Sequence, residues 1–356
     1  MRRALVCFAA VFVMMVGVWS VANASPLEDA LGGLLYFDRN LSNPAGQSCA
    51  DCHLPSAGFA DPDRNLPVSE GVIPGRFGGR NAPSAAYASF SPDFYFNEAE
   101  GLWMGGQFWD GRALDLEEQA RGPFLNPVEM NNTKQGVINA VRRSSYAWLF
   151  KLVYGKNSLN NVETAYVHVS EAIAAFERTK LLNSFTSKYD YYLKGKVALS
   201  AQELRGLDLF NDPLKGNCAA CHPGDGPKPL FTDFSYDNLG IPKNAEIEAL
   251  VGAPVPIDYG LGNTVGMAED GKFKVSSLRN LAKTAPYGHN GYFKDLKTIV
   301  HFYNTRDVES WPLPEVNNEN VNRDELGNLG LTSAEEDDIV AFLGTLTDGY
   351  KCKGCY

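Results

Sequence analysis

Two short strings constrain this chain more than any other feature: Cys49-Ala-Asp-Cys52-His53 and Cys218-Ala-Ala-Cys221-His222. Two thiols three residues apart, followed at once by an imidazole, form the attachment pattern of a c-type haem. The thiols add to the porphyrin vinyl groups and the histidine takes an axial position on iron. A lone Cys-x-x-Cys pair fits a zinc knuckle or a redox disulfide equally well. A histidine directly after the second cysteine is badly placed to share one tetrahedral ion, however, and here it recurs in both strings. The expectation is two covalent haems, one held by Cys49, Cys52 and His53 and the other by Cys218, Cys221 and His222. A third pair, Cys352-Lys-Gly-Cys355, has no following histidine and lies next to the C-terminus. It reads as a terminal disulfide, with metal binding as the alternative.

The first residues agree with that chemistry. Arg2 and Arg3 precede an apolar run from Ala4 to about Val18, and Ala22-Asn23-Ala24 offers small residues to a signal peptidase. Residues 1–24 therefore read as a secretory signal. A membrane anchor is the alternative, but the apolar run is at the short end for a bilayer. Cys7 lies near the start of the run rather than at a cleavage point, which argues against a lipoprotein. The expected location is outside the bacterial cytoplasm, in the periplasm or at the cell surface, with no transmembrane segment after cleavage. Loss of residues 1–24 removes two arginines and no acid, so the net charge of −10 becomes −12. That acidity argues against a nucleic-acid partner and favours a basic or dipolar one. Oligomeric state stays open.

The remaining chain is long enough for two domains, and a repeat supports two. Leu31-Gly-Gly-Leu-Leu-Tyr-Phe37 precedes the first haem string and Leu204-Arg-Gly-Leu-Asp-Leu-Phe210 the second, both with apolar residues at helical spacing. Capping boxes open two helices, Ser200 to Glu203 and Thr332 to Glu335, the latter running to about Leu346. A further helix is expected over Val162 to Lys180, where His168 reads as an ordinary helix residue rather than an iron ligand. Gly71 to Pro83 and Pro223 to Pro229 read as loops. The fold class expected is mainly α: two cytochrome c-like helical domains with long loops, each binding one covalent c-type haem. Their ranges are residues 25–183 and 184–356, linked near Asn183 to Lys188.

Further strings carry a resemblance. Phe108-Trp-Asp-Gly-Arg-Ala113, Glu118-Gln-Ala120, Gly122-Pro123 and Asn126-Pro-Val-Glu-Met130 resemble the bacterial dihaem cytochrome c peroxidase and MauG family. Ser277-Leu-Arg-Asn280, Thr284-Ala-Pro-Tyr287 and His289-x-Gly291 are similar to its C-terminal half. The resemblance implies a peroxide site at the N-terminal haem, with His53 proximal, and electron transfer at the C-terminal haem, with His222 proximal. It implies that Trp109 lies between the haems, that Glu129 is the acid/base over the distal face, that Gln119 positions peroxide, and that Pro123 crowds that face. It also implies a calcium ion held by the Asn81 side chain and the backbone oxygens of Thr284 and Pro286.

Two departures separate subgroups. The loop Glu70 to Arg80 lacks the histidine that, in reductively activated peroxidases, caps the peroxidatic iron, so an already open haem is expected. The methionine expected at the second haem is replaced by Tyr303, whose phenolate would favour ferric and higher states. His301 is a rival ligand at this haem, and His289 reads as a residue near it that does not bind iron. The expected function is reduction of hydrogen peroxide with electrons from a small redox protein, a cytochrome c or a cupredoxin, without reductive activation. The alternatives are MauG-like oxidation of side chains in a protein substrate and a non-enzymatic dihaem electron carrier, which would need two closed irons.

Overall fold

The computed structural model describes residues 25–352; the signal segment 1–24 and Cys355 lie outside the described residues. Twelve α-helices are described: α1 Pro26–Tyr36, α2 Cys49–Cys52, α3 Leu116–Leu125, α4 Lys134–Arg143, α5 Ala147–Tyr154, α6 Val162–Glu177, α7 Lys188–Leu193, α8 Ala201–Asn211, α9 Ala245–Val251, α10 Gly262–Val265, α11 Leu296–Thr305 and α12 Ser333–Gly344. The strands β1 Tyr95–Asn97 and β2 Leu102–Met104 form one antiparallel ribbon, and β3 Tyr236–Asp237 and β4 Phe273–Lys274 another. The mainly helical expectation holds, and Pro223 to Pro229 carries no helix or strand. No helix among the described residues is long and apolar enough to cross a membrane.

Apolar burial divides along the chain. One core runs from Leu31 to Phe185 and includes Phe124, Val169 and Ile173; a second runs from Tyr189 to Leu346 and includes Phe210, Phe231 and Phe342. Each is built on one helix crossing. A Cβ on Gly32 of α1 would stand 1.8 Å from the Ala172 carbonyl oxygen of α6, and one on Gly206 of α8 would stand 1.9 Å from that of Asp338 on α12. Only glycine admits two backbones this close. Phe176 and Phe342 lie beside the two glycines, their Cβ atoms 2.8 and 2.9 Å from those same positions.

This crossing corrects the repeat by one residue. Gly32, not Gly33, matches Gly206, and the fully buried Tyr36 matches Phe210, while Phe37 is 46% exposed. The Gly32-Gly33 pair offers two registers, and the carbonyl of Ala172 chooses between them. The α6 helix ends at Glu177, three residues before the expected limit, where Arg178 caps it by donating its N–H to Ala174 and Ala175. The capping boxes of α8 and α12 form as expected, although α12 stops at Gly344.

A second correspondence is nearly hidden in the sequence. The bridges Gln107↔Ala113 and Tyr287↔Phe293 close two like loops, each with a glycine at positive φ, Gly111 at 68° and Gly291 at 62°. Asp115 then caps α3 by accepting from Glu118 N, and Asp295 caps α11 by accepting from Thr298 N. The two ten-residue helices are thus placed alike, one in each half.

Candidate active site

A continuous cavity of about 770 Å3 runs between the halves, and every residue the sequence singled out for haem, peroxide or calcium lines it except the rival ligand His301. The lining includes Cys49, Cys52, Cys218 and Cys221, none of them paired in a disulfide. His53 Nδ1 lies 3.2 Å from the Phe59 carbonyl oxygen and His222 Nδ1 lies 2.8 Å from that of Phe231. Donation from Nδ1 fixes the tautomer and leaves Nε2 as the lone pair for iron. Phe59 and Phe231 both adopt positive φ, 61° and 54°, so the same local device recurs in both halves. Burial also holds both imidazoles below their ordinary pKa, in the neutral form that binds metal. The donor set fits two c-type haems.

Gln119 and Pro123 of α3 and Glu129 in the turn that follows line the same cavity as the first haem string. Asn126, the C-cap of α3, donates from Nδ2 to Glu129 Oε1 at 2.6 Å. Burial raises the Glu129 carboxyl above its ordinary range, partly offset by that bond and by the charge of Arg112. The turn is held from outside by the loop that lacks a histidine. Val72 N donates to the Glu129 carbonyl at 2.8 Å, and a Cβ on Gly71 would fall 2.3 Å from the Val128 carbonyl oxygen. Asn126 and Gly71 were legible only as turn or motif residues, because their roles depend on contacts across the turn.

Near the second string stands Tyr303 of α11, half-buried, its phenol pushed well above its ordinary pKa by burial and by the nearby Cys218 and Cys221. Its rival is turned away. His301 places Nδ1 2.8 Å from Glu336 and Nε2 3.3 Å from Glu309, so both nitrogens face carboxylates, and it does not line the cavity. His168 is also remote from the cavity, stacked on Tyr154 with ring centroids 4.2 Å apart and paired with Glu171.

Between the halves, Trp109 is pinned by both its side chain and its backbone. Its Nε1 donates to the Asn81 carbonyl at 2.8 Å, and its own carbonyl accepts from Lys274 N at 2.9 Å. The half-buried Lys274 Nζ donates to the Gly105 carbonyl, the Gly106 carbonyl and Ser91 Oγ, tying β4 to the other half; nothing in the sequence marked it. Asn81 N donates to the His289 carbonyl at 2.8 Å, while the His289 ring stacks on Phe273 and faces Glu315. Asn81 Nδ2 donates to the Pro67 carbonyl at 3.0 Å, leaving Oδ1 as the donor atom that the side chain offers a cation. With the Thr284 and Pro286 carbonyls on the same cavity wall, the set is all oxygen and fits calcium. The acid and thiol cluster among the described residues, Cys221, Asp237 and Glu325, lies instead at the second haem string. Cys352 is disulfide-bonded, in keeping with the terminal disulfide expected.

Comparison with known proteins agrees with this cavity. The family model for di-haem cytochrome c peroxidase matches residues 27–198. The methylamine utilization protein MauG of Paracoccus denitrificans is 38% identical, with 97% of this chain and 95% of that protein covered. Cytochrome c551 peroxidase of Nitrosomonas europaea is 34% identical, over 89% of this chain and 79% of that one. The crystal structure of the diheme peroxidase BthA from Burkholderia thailandensis superimposes with a TM-score of 0.82 at 34% identity, covering 91% of this chain and 86% of the other. An arrangement in which two haem strings, Trp109, Glu129 and Tyr303 meet in one cavity, with relatives of both kinds along almost the whole chain, leads to one conclusion: the chain belongs to the dihaem cytochrome c peroxidase and MauG family.

Proposed function

We propose that this protein reduces hydrogen peroxide to water at its N-terminal haem, drawing electrons from a small redox protein such as a cytochrome c or a cupredoxin. The observation that carries the reading is that Pro123 and Tyr303 stand at the same position of matching helices, each eight residues past its capping aspartate, Asp115 or Asp295. Proline has no atom to offer iron, so a haem held by His53 would keep room for peroxide, whereas the phenol of Tyr303 would supply a second ligand to a haem held by His222.

When bound, the haems supply the iron that takes peroxide and stores its oxidising power. The chain supplies the rest. Glu129, oriented by Asn126, takes the proton from the inner peroxide oxygen and returns it to the outer one as the O–O bond breaks. The Gln119 amide donates a hydrogen bond that positions the substrate, and Pro123 limits what else can enter. Trp109 carries charge between the halves, its indole held by the Asn81 carbonyl, and Asn81, Thr284 and Pro286 would hold a calcium ion beside it. No histidine stands in the Glu70 to Arg80 loop, so no reductive activation is needed. The cores divide between Phe185 and Tyr189, inside the link expected near Asn183 to Lys188, which supports two domains with their boundary just past residue 183, and residues 1–24 direct export to the periplasm or cell surface.

A second reading, MauG-like oxidation of side chains in a protein substrate, is favoured by Tyr303, since a phenolate stabilises oxidised iron. Steady-state turnover of the fully oxidised enzyme with peroxide and reduced cytochrome c or cupredoxin separates the two. Rapid turnover without pre-reduction is expected; slow turnover with fast reaction toward peroxide supports the second reading. No peroxide consumption contradicts both and leaves the electron carrier.

A further inference from the structure

Among the tyrosines that line the cavity, Tyr87 alone gives its hydroxyl to a carboxylate: it donates to Asp348 Oδ2 at 2.7 Å. Tyr287, also in the wall, donates to the Leu281 carbonyl, which cannot accept a proton outright. The other tyrosine–carboxylate bonds among the described residues, Tyr146 to Asp38 and Tyr154 to Glu28, lie away from the cavity. Tyr87 is also held unusually. It is 2% exposed and has φ of 64°, a conformation uncommon for an aromatic residue that persists only where its surroundings fix it.

The surroundings are built for one phenol. Phe185 N donates to the Tyr87 oxygen at 2.9 Å, and the Phe185 ring meets the Tyr87 ring edge-on with centroids 4.9 Å apart. Asp348 is fixed in turn by Thr186 N on Oδ1 and Asn280 Nδ2 on Oδ2. The Arg279 guanidinium lies 5.0 Å from the Tyr87 ring centre, but Asp190 pairs it at 2.9 Å, so the ring faces a neutralised charge.

We propose that Tyr87 and Asp348 form a redox-active pair that holds one of the two oxidising equivalents of peroxide when no donor is present; this rests on the peroxide chemistry proposed above. In the step, Tyr87 loses one electron to the peroxide-oxidised haems and its hydroxyl proton passes to Asp348 Oδ2. A neutral phenoxyl results, still hydrogen-bonded by Phe185 N. One electron from a donor and the same proton restore the phenol. Ring oxidation makes a phenol strongly acidic, so a carboxylate already in hydrogen-bond contact is the acceptor this step requires.

The test is EPR of the holoprotein frozen after one equivalent of peroxide without donor, with optical spectra on the same samples. A tyrosyl signal is expected that narrows when the protein carries ring-deuterated tyrosine, vanishes in Y87F, and is strongly reduced in D348N, in which the hydrogen bond can survive but the base cannot. An unchanged ferric optical spectrum in each variant shows that it folds and holds its haems. The isotope-labelled wild type needs no substitution at all. Oxidised haems with no tyrosyl signal, or a signal that persists in Y87F, would overturn the pair while leaving the peroxide reading intact. Haems that do not react with peroxide would overturn both.

Discussion

The two halves of this molecule use the same scaffold to opposite chemical ends. Each crosses an early helix with its last one at a glycine, Gly32 or Gly206, and fixes a histidine through a phenylalanine carbonyl at positive φ. Each also aims a ten-residue helix, α3 or α11, over the cavity from an aspartate cap. At one matching position the N-terminal half has Pro123 and the C-terminal half Tyr303; one turn earlier, Gln119 corresponds to Ile299. The difference teaches that the fold fixes where the matching residue of each half stands and, on the function proposed above, that the side chain there decides whether an iron would be open to peroxide or closed to it.

The largest expected effect comes from removing the proton carrier found in one half only. Glu129→Gln should slow the reaction of the ferric protein with peroxide about 10²–10⁴-fold, as loss of general acid/base catalysis does. Stopped-flow mixing measures it, and an unchanged rate would take Glu129 out of the reaction.

Next in size is making the halves alike. Tyr303→Phe removes the phenolate oxygen from α11, so both haems should be high-spin in the ferric EPR spectrum instead of one. A second haem that stays low-spin in this variant would mean that another group closes it. His301→Ala should leave the spectrum as it is, because its ring nitrogens face Glu336 and Glu309.

The shared scaffold gives a smaller, symmetrical prediction. Gly32→Ala and Gly206→Ala should each cost about 2 kcal/mol, since each methyl meets a backbone carbonyl. Gly33→Ala should be close to neutral: its methyl meets only the Phe176 ring, nearest at 3.2 Å, and alanine gains up to about 1 kcal/mol of helix propensity. Denaturant unfolding of the holoproteins measures all three, and equal costs at Gly32 and Gly33 would contradict the match of Gly32 to Gly206.

The smallest effect is in pH. Burial raises the Glu129 carboxyl, and the reaction needs it as a carboxylate to accept the peroxide proton. The rate with peroxide should therefore fall as pH drops through a pKa above the ordinary carboxylate value. That limb should be absent in Glu129→Gln; a limb unchanged by the substitution would assign the titration elsewhere.

Much of the site was legible because covalent and ligating chemistry leaves contiguous strings: Cys-x-x-Cys-His needs its residues adjacent, and Gln119, Pro123 and Glu129 sit on one helix and its turn. What the sequence hid depends on contacts between distant segments. The Gly32-Gly33 ambiguity is resolved only by Ala172 on α6, and the likeness of residues 107–125 to 287–305 survives in little beyond Gly111 and Gly291, Asp115 and Asp295, and Leu116 and Leu296. Lys274 and Tyr87 gave no signal because a lysine or tyrosine in a loop-rich stretch has no periodicity to mark its burial. Their partners, Gly105 and Gly106 for one and Asp348 for the other, are more than 160 residues away along the chain.

The central claim is that one half is open and the other closed before any reduction. EPR with optical spectroscopy of the fully ferric holoprotein, before and after one equivalent of hydrogen peroxide and without reductant, tests it most directly. The account predicts one high-spin and one low-spin haem, with the optical spectrum changing at once when peroxide is added. Two low-spin haems that stay inert until reduced would contradict it, and would mean that some other group closes the N-terminal half despite Pro123.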